Sequence, residues 1–202
     1  MSGKIQNLLH QASQEPNTSS VSSAKRHFTD EEQARSVFLE VKEKLLILDN
    51  WNENSRLSSF EIFDENGNVQ QDKTIRTGGF ERISLTGTGK YDWVRIIDIY
   101  ENENELVITV KPTYDPTEEN LDKKTVSHFF SDEATNNFCL QQDDKSVTMY
   151  VIGLNEKQNT GETDNVVETI RNVAVANLGS YLGIQKSEWT TFCKNFLSSE
   201  NK

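Results

Sequence analysis

The 202-residue chain contains only two cysteines, Cys139 and Cys193. Two thiols so far apart make neither a disulfide framework nor a zinc-ligand pattern, and they read as half-buried apolar groups. No metal or cofactor is expected. Apolar residues are also scarce, at 34% of the chain against roughly 45–50% in ordinary globular domains. Much of the chain must therefore lie outside the core. No apolar run approaches the ~20 residues that span a bilayer. The opening MSGKIQNLLHQASQEP spaces its apolar residues instead of joining them, unlike a signal peptide. A cytoplasmic chain without membrane insertion is the expectation. Basic residues are outnumbered, 21 Lys+Arg against 32 Asp+Glu, for a formal charge of −11. Nucleic acids and anionic membranes attract Lys and Arg, so neither is an expected partner.

The acids have a pattern. Fourteen of them fall in segments 64–72, 101–105, 115–122, 131–133 and 143–144, which hold no Lys or Arg, and the remainder of the chain carries +3. These segments read as turns, so the acidity serves solubility and edge protection more than a single basic partner.

Residues 1–27 read as a short helix and a flexible linker, and residues 28–202 as a single domain. Ile5, Leu8, Leu9 and Ala12 share one helix face. Gln14 to Ser23 is polar, Ser-rich and without period. Thr29 and Glu32 have capping-box spacing ahead of a helix whose stripe is Ala34, Val37, Phe38, Val41, Leu45 and Leu48. That helix should stop at Asp49-Asn50-Trp51-Asn52.

From Leu57 to Leu154 the period is that of strands. Ser58–Phe63 leads into the Asn66-Gly67 turn, and Val69–Ile75 and Phe80–Leu85 should return from it. Tyr91–Tyr100, Glu105–Pro112, Thr125–Phe130, Ala134–Gln141 and Ser146–Leu154 follow, joined by turns short enough to require antiparallel neighbours. The last strand is apolar on both faces: Val147, Met149 and Val151 on one, Tyr150, Ile152 and Leu154 on the other. Such a strand is central or covered on both sides. A stripe of Val166, Ile170, Val173, Ala174, Asn177 and Tyr181 predicts a long helix, and Ser187 can cap another carrying Trp189, Phe192, Cys193 and Phe196. The fold class is α+β: an antiparallel sheet of six to seven strands with helices on one face and a long C-terminal helix.

Motifs that suggest chemistry have simpler readings. Thr86-Gly87-Thr88-Gly89-Lys90 lacks the P-loop pattern, with Ser84 at the early glycine position and Tyr91 after the lysine. Asp64, Asn66 and Asn68 match the first calcium-loop positions, but Val69 and Ile75 stand where Gly and Glu are needed. Of three histidines, only His128 falls in a strand, beside Val126 and Phe130. It is a candidate general base if a carboxylate shares its pocket. Glu61 and Arg82 interrupt apolar strands as solvent-facing positions.

The order of elements, with the helix ending Phe38…Leu45-Leu46…Asn50-Trp51, resembles the START/Bet v1-like helix-grip superfamily over residues 28–182. Those domains begin with a strand ahead of their first helices, where this chain has Ser20–Phe28, a poor strand sequence. The resemblance implies a curved sheet gripping the Val166–Leu182 helix over an apolar cavity. It further implies non-enzymatic binding of a hydrophobic small molecule or lipid, with Trp93, His128, Tyr150, Asn177 and Tyr181 as ligand-binding residues. Two alternatives stand beside it: an interaction or adaptor protein of unknown partner, and a small hydrolase or cyclase using His128.

Overall fold

The computed structural model describes residues 3–85, 91–118, 125–157, 159 and 186–198. Helix α1 (Lys4–Gln14) precedes strand β1 (Ser20–His27). Helices α2 (Glu31–Leu45) and α3 (Leu48–Asn54) follow, then strands β2 (Ser58–Phe63), β3 (Phe80–Leu85), β4 (Tyr91–Glu101), β5 (Glu105–Pro112), β6 (Thr135–Asp143) and β7 (Ser146–Leu154). A last helix, α4, covers 186–198. The strands form one curled antiparallel sheet of seven, in the order β1-β7-β6-β5-β4-β3-β2. The chain is α+β, as its strand and helix periods predict.

Ser20–His27 is not a linker. It pairs with β7 along its whole length, from Ser20 opposite Gly153 to His27 opposite Ser146. Its serines satisfy themselves on neighbours: the Ser22 hydroxyl donates to the Lys186 carbonyl of α4 at 3.2 Å. An edge strand of this kind is held by its ladder and not by its own hydrophobicity, which is why no apolar alternation announces it.

Helix α2 begins one residue later than Thr29. Asp30 is the N-cap, and its carboxylate accepts from the Gln33 amide at 2.8 Å. Glu31 and Glu32 favour the positive end of the helix dipole, and Lys42 and Lys44 the negative end. The Asn50-Trp51 pair then closes the helix. Asn50 Nδ2 donates to the Lys44 carbonyl at 2.9 Å and Trp51 Nε1 to the Leu45 carbonyl at 2.8 Å. These acceptors are among the last four carbonyls that a helix leaves unpaired. Asn52 fixes α3 to β2, donating to the Phe60 carbonyl at 3.0 Å and accepting its amide at 2.7 Å.

Two expected strands are absent. Val69–Ile75 makes one bridge at each end, Val69 to Phe63 and Thr74 to Ile47. Between them the Asp72 carboxylate accepts from Gln70 Nε2 and the Thr74 amide, which turns the chain instead of extending it. The partner of β2 is β3, with Phe63 opposite Phe80. Thr125–Phe130 is also irregular. Ser127 donates to the Thr113 carbonyl and accepts from the Trp93 amide, both at 2.8 Å, so its bonds go to the ends of β4 and β5.

The sheet is covered on both faces. The concave face carries the main core: Phe60, Ile62, Val94, Ile96, Leu106, Ile108, Phe138, Leu140, Val147, Met149 and Val151 against Phe38, Val41, Leu45, Trp51, Trp189, Phe192 and Phe196. On the opposite face α1 seats Ile5 and Ala12 on Val107, Cys139 and Ile152, with Tyr150 and Leu154 beside them. This accounts for the two apolar faces of β7. No described helix is long and apolar enough to cross a membrane.

Candidate functional site

The concave face divides into two regions. Over β5 to β7, rings fill the space. Trp51 lies 4.2 Å from Phe138, Trp189 lies 5.4 Å from Phe138 and 5.5 Å from Phe192, and Phe196 lies 4.8 Å from Phe192 (centroid distances). Trp189, Phe192 and Phe196 come from α4, Trp51 from α3 and Phe138 from β6. The stretch expected to be gripped, Val166–Leu182, lies outside the described residues, as do Thr86–Lys90.

The second region is a row across one end of the same face. Glu81 of β3 stands between Ile62 of β2 and Val94 of β4. One register step further, Ile96 pairs with Val110, Val110 with Asn136, Asn136 with Gly153 and Gly153 with Ser20. Four buried polar atoms in this row or beside it have no hydrogen-bond partner among the described residues: Glu81 Oε1, Asn136 Oδ1, Glu156 Oε1 and Trp189 Nε1. Glu81 is 2% exposed, and its neighbours Ile62 and Val94 are as deeply buried. Burial, with no compensating charge, pushes its carboxyl up to about 8, so it is mostly protonated at neutral pH. Burial also raises the Glu156 carboxyl, opposed by its hydrogen bond with Ser20. Glu156 fits because residue 153 is glycine: a Cβ there would come within 2.0 Å of Glu156 Oε1.

An unpartnered buried polar group costs on the order of 1–3 kcal/mol, more when charged. Four at one end of an otherwise apolar face are therefore a candidate site. Two signals for it stand in the sequence. Glu81 is in phase with Ile83, and Asn136 with Phe138 and Leu140, so each puts a polar group on a core-facing row.

Of the five residues expected to bind ligand, Trp93, His128 and Tyr150 are described, and Trp93 and Tyr150 belong to separate clusters. Trp93 is on the outer face, in a cluster with Phe63, Phe80 and Tyr114. Tyr150 is also outward, under α1. Asn177 and Tyr181 lie outside the described residues. His128 sits in an irregular loop, not a strand, and its Nδ1 accepts from the Phe130 amide at 2.9 Å. That bond leaves the proton on Nε2, a donor and not a base. Burial lowers the His128 pKa, against the pull of Asp92. The Asp92 carboxylate accepts the Phe129 amide at 3.1 Å, and no carboxylate among the described residues hydrogen-bonds the ring. Glu61 and Arg82 are ion-paired across the β2–β3 ladder on the outer face. Asp64 is a turn residue: its Oδ1 accepts the Asn66 and Asn68 amides, each at 2.9 Å, and its pKa is lowered chiefly by the Asn68 amide. Among the described residues no cluster of His, Cys, Asp and Glu is suited to a metal.

This architecture has a counterpart among solved structures. The chain is similar to the hypothetical protein jhp0584 from Helicobacter pylori at TM-score 0.54 and 8% identity, over 90% of this chain and 88% of that one. It also matches the di-domain ARO/CYC BexL from the BE-7585A biosynthetic pathway, with TM-score 0.43, 10% identity and coverage of 98% and 55%. A third match is Ara h 8.0201, with TM-score 0.37, 11% identity and coverage of 90% and 99%. At 8% identity the likeness to jhp0584 is one of fold. No protein-family model and no curated protein matches the chain.

Proposed function

We propose that this protein binds an apolar small molecule, without catalysis, against the concave face of its sheet, at the end where α4 begins. The observation that carries this reading is the row of unpartnered polar atoms, Glu81 Oε1, Asn136 Oδ1, Glu156 Oε1 and Trp189 Nε1, set in a face otherwise built from Ile62, Val94, Ile96 and Val110. Ligand sites combine apolar walls with a few polar groups that fix orientation. A bound molecule would supply the hydrogen bonds that the described chain does not. The single described histidine near this end, His128, has its Nδ1 committed to the Phe130 amide, which weighs against a hydrolase or cyclase built on it.

Native mass spectrometry after mild purification tests the reading. A retained apolar adduct, released by solvent extraction and absent from a Glu81→Leu, Asn136→Leu double variant, is the expected result. Only the bare chain mass, with no thermal shift on addition of apolar compounds, would overturn it.

A further inference from the structure

The row of polar atoms also selects the charge and shape of what it holds; this step rests on the binding reading above. Glu81 on β3 and Asn136 on β6 lie three strands apart, about 14 Å at ~4.8 Å per strand. Between them the row is apolar, Val94 and Ile96 on β4 and Val110 on β5. Glu156 folds over Gly153 on β7, just beyond Asn136, and the Trp189 ring packs edge to face against Phe138 of β6. The unpartnered polar atoms thus form two groups at the ends of an apolar strip.

The charged groups around the strip are few. β2 presents Phe60 and Ile62 to Glu81, β3 adds Ile83, and β4 presents Val94 and Ile96. Asp92, two residues beyond Val94, is bonded to the Phe129 amide, with His128 in that same loop. On α3, Asp49 and Glu53 are exposed. On α4, Lys186 and Lys194 are exposed, and Glu188 is tied to Ser55, Arg56 and Leu57. None of the described Lys or Arg side chains bonds to Glu81 or Glu156. Among the described residues an anionic headgroup would therefore meet two carboxyls and no cation bonded to them. A protonated carboxyl both donates and accepts, as a hydroxyl or carbonyl group requires.

We propose that the ligand is an uncharged, elongated apolar molecule carrying a hydroxyl or carbonyl group at each end, one bound by Glu81 and the other by Asn136 with Glu156 or Trp189. Anionic lipids, fatty acids among them, are excluded from the same strip.

The test uses the full chain and four ten-carbon probes in calorimetric titration: 1,10-decanediol, 1-decanol, decanedioate and 1,10-diaminodecane. The diol should bind at least tenfold more tightly than the mono-alcohol and the dianion. Its affinity should fall about tenfold between pH 7 and pH 9 as Glu81 ionises. In Glu81→Gln the pH dependence should vanish while binding persists, and in Glu81→Leu the diol should lose its advantage over the mono-alcohol. Tightest binding of the diamine, or affinity that rises with pH, overturns the uncharged class. Equal binding of all four probes overturns the two-ended site but leaves apolar binding standing. If none binds and Glu81→Leu behaves as wild type, the binding reading itself is overturned.

Discussion

Glu105, at the start of β5, accepts the backbone amide of Lys4 at 3.1 Å, across 101 residues of chain. The N-cap of α1 is Gly3, which has no side chain to cap with. Glu105 supplies from the sheet what the helix lacks, and the negative charge suits the helix dipole. A Cβ at residue 3 would fall 2.3 Å from Glu105 Oε1, so glycine is what admits the carboxylate. Lys4 adds an ion pair with Asp98 and lies 5.1 Å above the Tyr100 ring. Residues 3–14 are part of the folded unit through these contacts.

Removing that anchor should uncover a cysteine. Cys139 lies under α1, and burial holds its thiol far above the usual range. Cys193 is on the other side of the sheet, on α4, with its thiol pushed up to about 12, again by burial. Glu105→Ala should loosen α1 at a cost of about 1–2 kcal/mol. Alkylation followed by peptide mass spectrometry should then show Cys139 reacting at least tenfold faster than Cys193. Equal labelling of both thiols would mean that α1 leaves only with global unfolding.

A single oxygen, Glu188 Oε1, accepts from the Ser55 hydroxyl at 2.8 Å and from the Arg56 and Leu57 amides at 2.7 and 2.9 Å. It ties the first turn of α4 to the α3–β2 connection. Glu188→Ala leaves two amides to find other partners, and the loss should be about 2–3 kcal/mol. Ser55→Ala removes one of three bonds and should cost under about 1 kcal/mol. Urea denaturation of both variants checks the order; a Ser55 effect equal to that of Glu188 would contradict the backbone share of the contact.

The Glu81 carboxyl makes stability depend on pH in an uncommon direction. Its folded pKa, about 8, lies above the ordinary glutamate value of 4.5. Its favourable contribution is therefore complete below pH 4.5 and is lost as pH rises towards 8. Glu81→Leu removes the titration. Relative to wild type its stability gain should grow across that window, by on the order of 3 kcal/mol between pH 4 and pH 7. Denaturant midpoints at pH 4, 5.5, 7 and 8 read this directly, and a constant offset would show that Glu81 is not buried as a lone carboxyl.

Helix faces were legible where apolar residues recur at helical spacing. Ile5 and Ala12 of α1 and Ala34, Phe38, Val41 and Leu45 of α2 are buried as their period requires. The two faces of β7 were legible for the same reason. The cap of α2 slipped by one because Thr29–Glu32 and Asp30–Gln33 have equal spacing, and only geometry chooses between them. β1 was hidden because its stability comes from the β7 ladder. Trp93 and Tyr150, expected at a ligand for their aromatic rings, face outward, because strand parity alone does not say which face is concave. Glu81 and Asn136 stand out in the sequence as polar residues in phase with a core-facing row.

Trp51 serves both the core and the end of α2. Its ring is fully buried between Phe60, Phe138 and Phe192, while Nε1 donates to the Leu45 carbonyl. The two contributions separate by substitution. Trp51→Phe keeps much of the apolar contact and removes the donor, so it should cost about 1–2 kcal/mol. Trp51→Ala also empties the centre of the concave core and should cost about 3–5 kcal/mol. Asn50→Ala removes one donor to the Lys44 carbonyl, which also accepts the Ile47 amide at 3.1 Å, and should cost under about 1 kcal/mol. Since both side chains satisfy carbonyls at one helix end, the double variant Asn50→Ala, Trp51→Phe should lose more than the sum of its parts, read as a lower thermal midpoint and as early hydrogen exchange in the last turn of α2. Strict additivity would mean that the two bonds act separately and that α2 needs no closure by this pair.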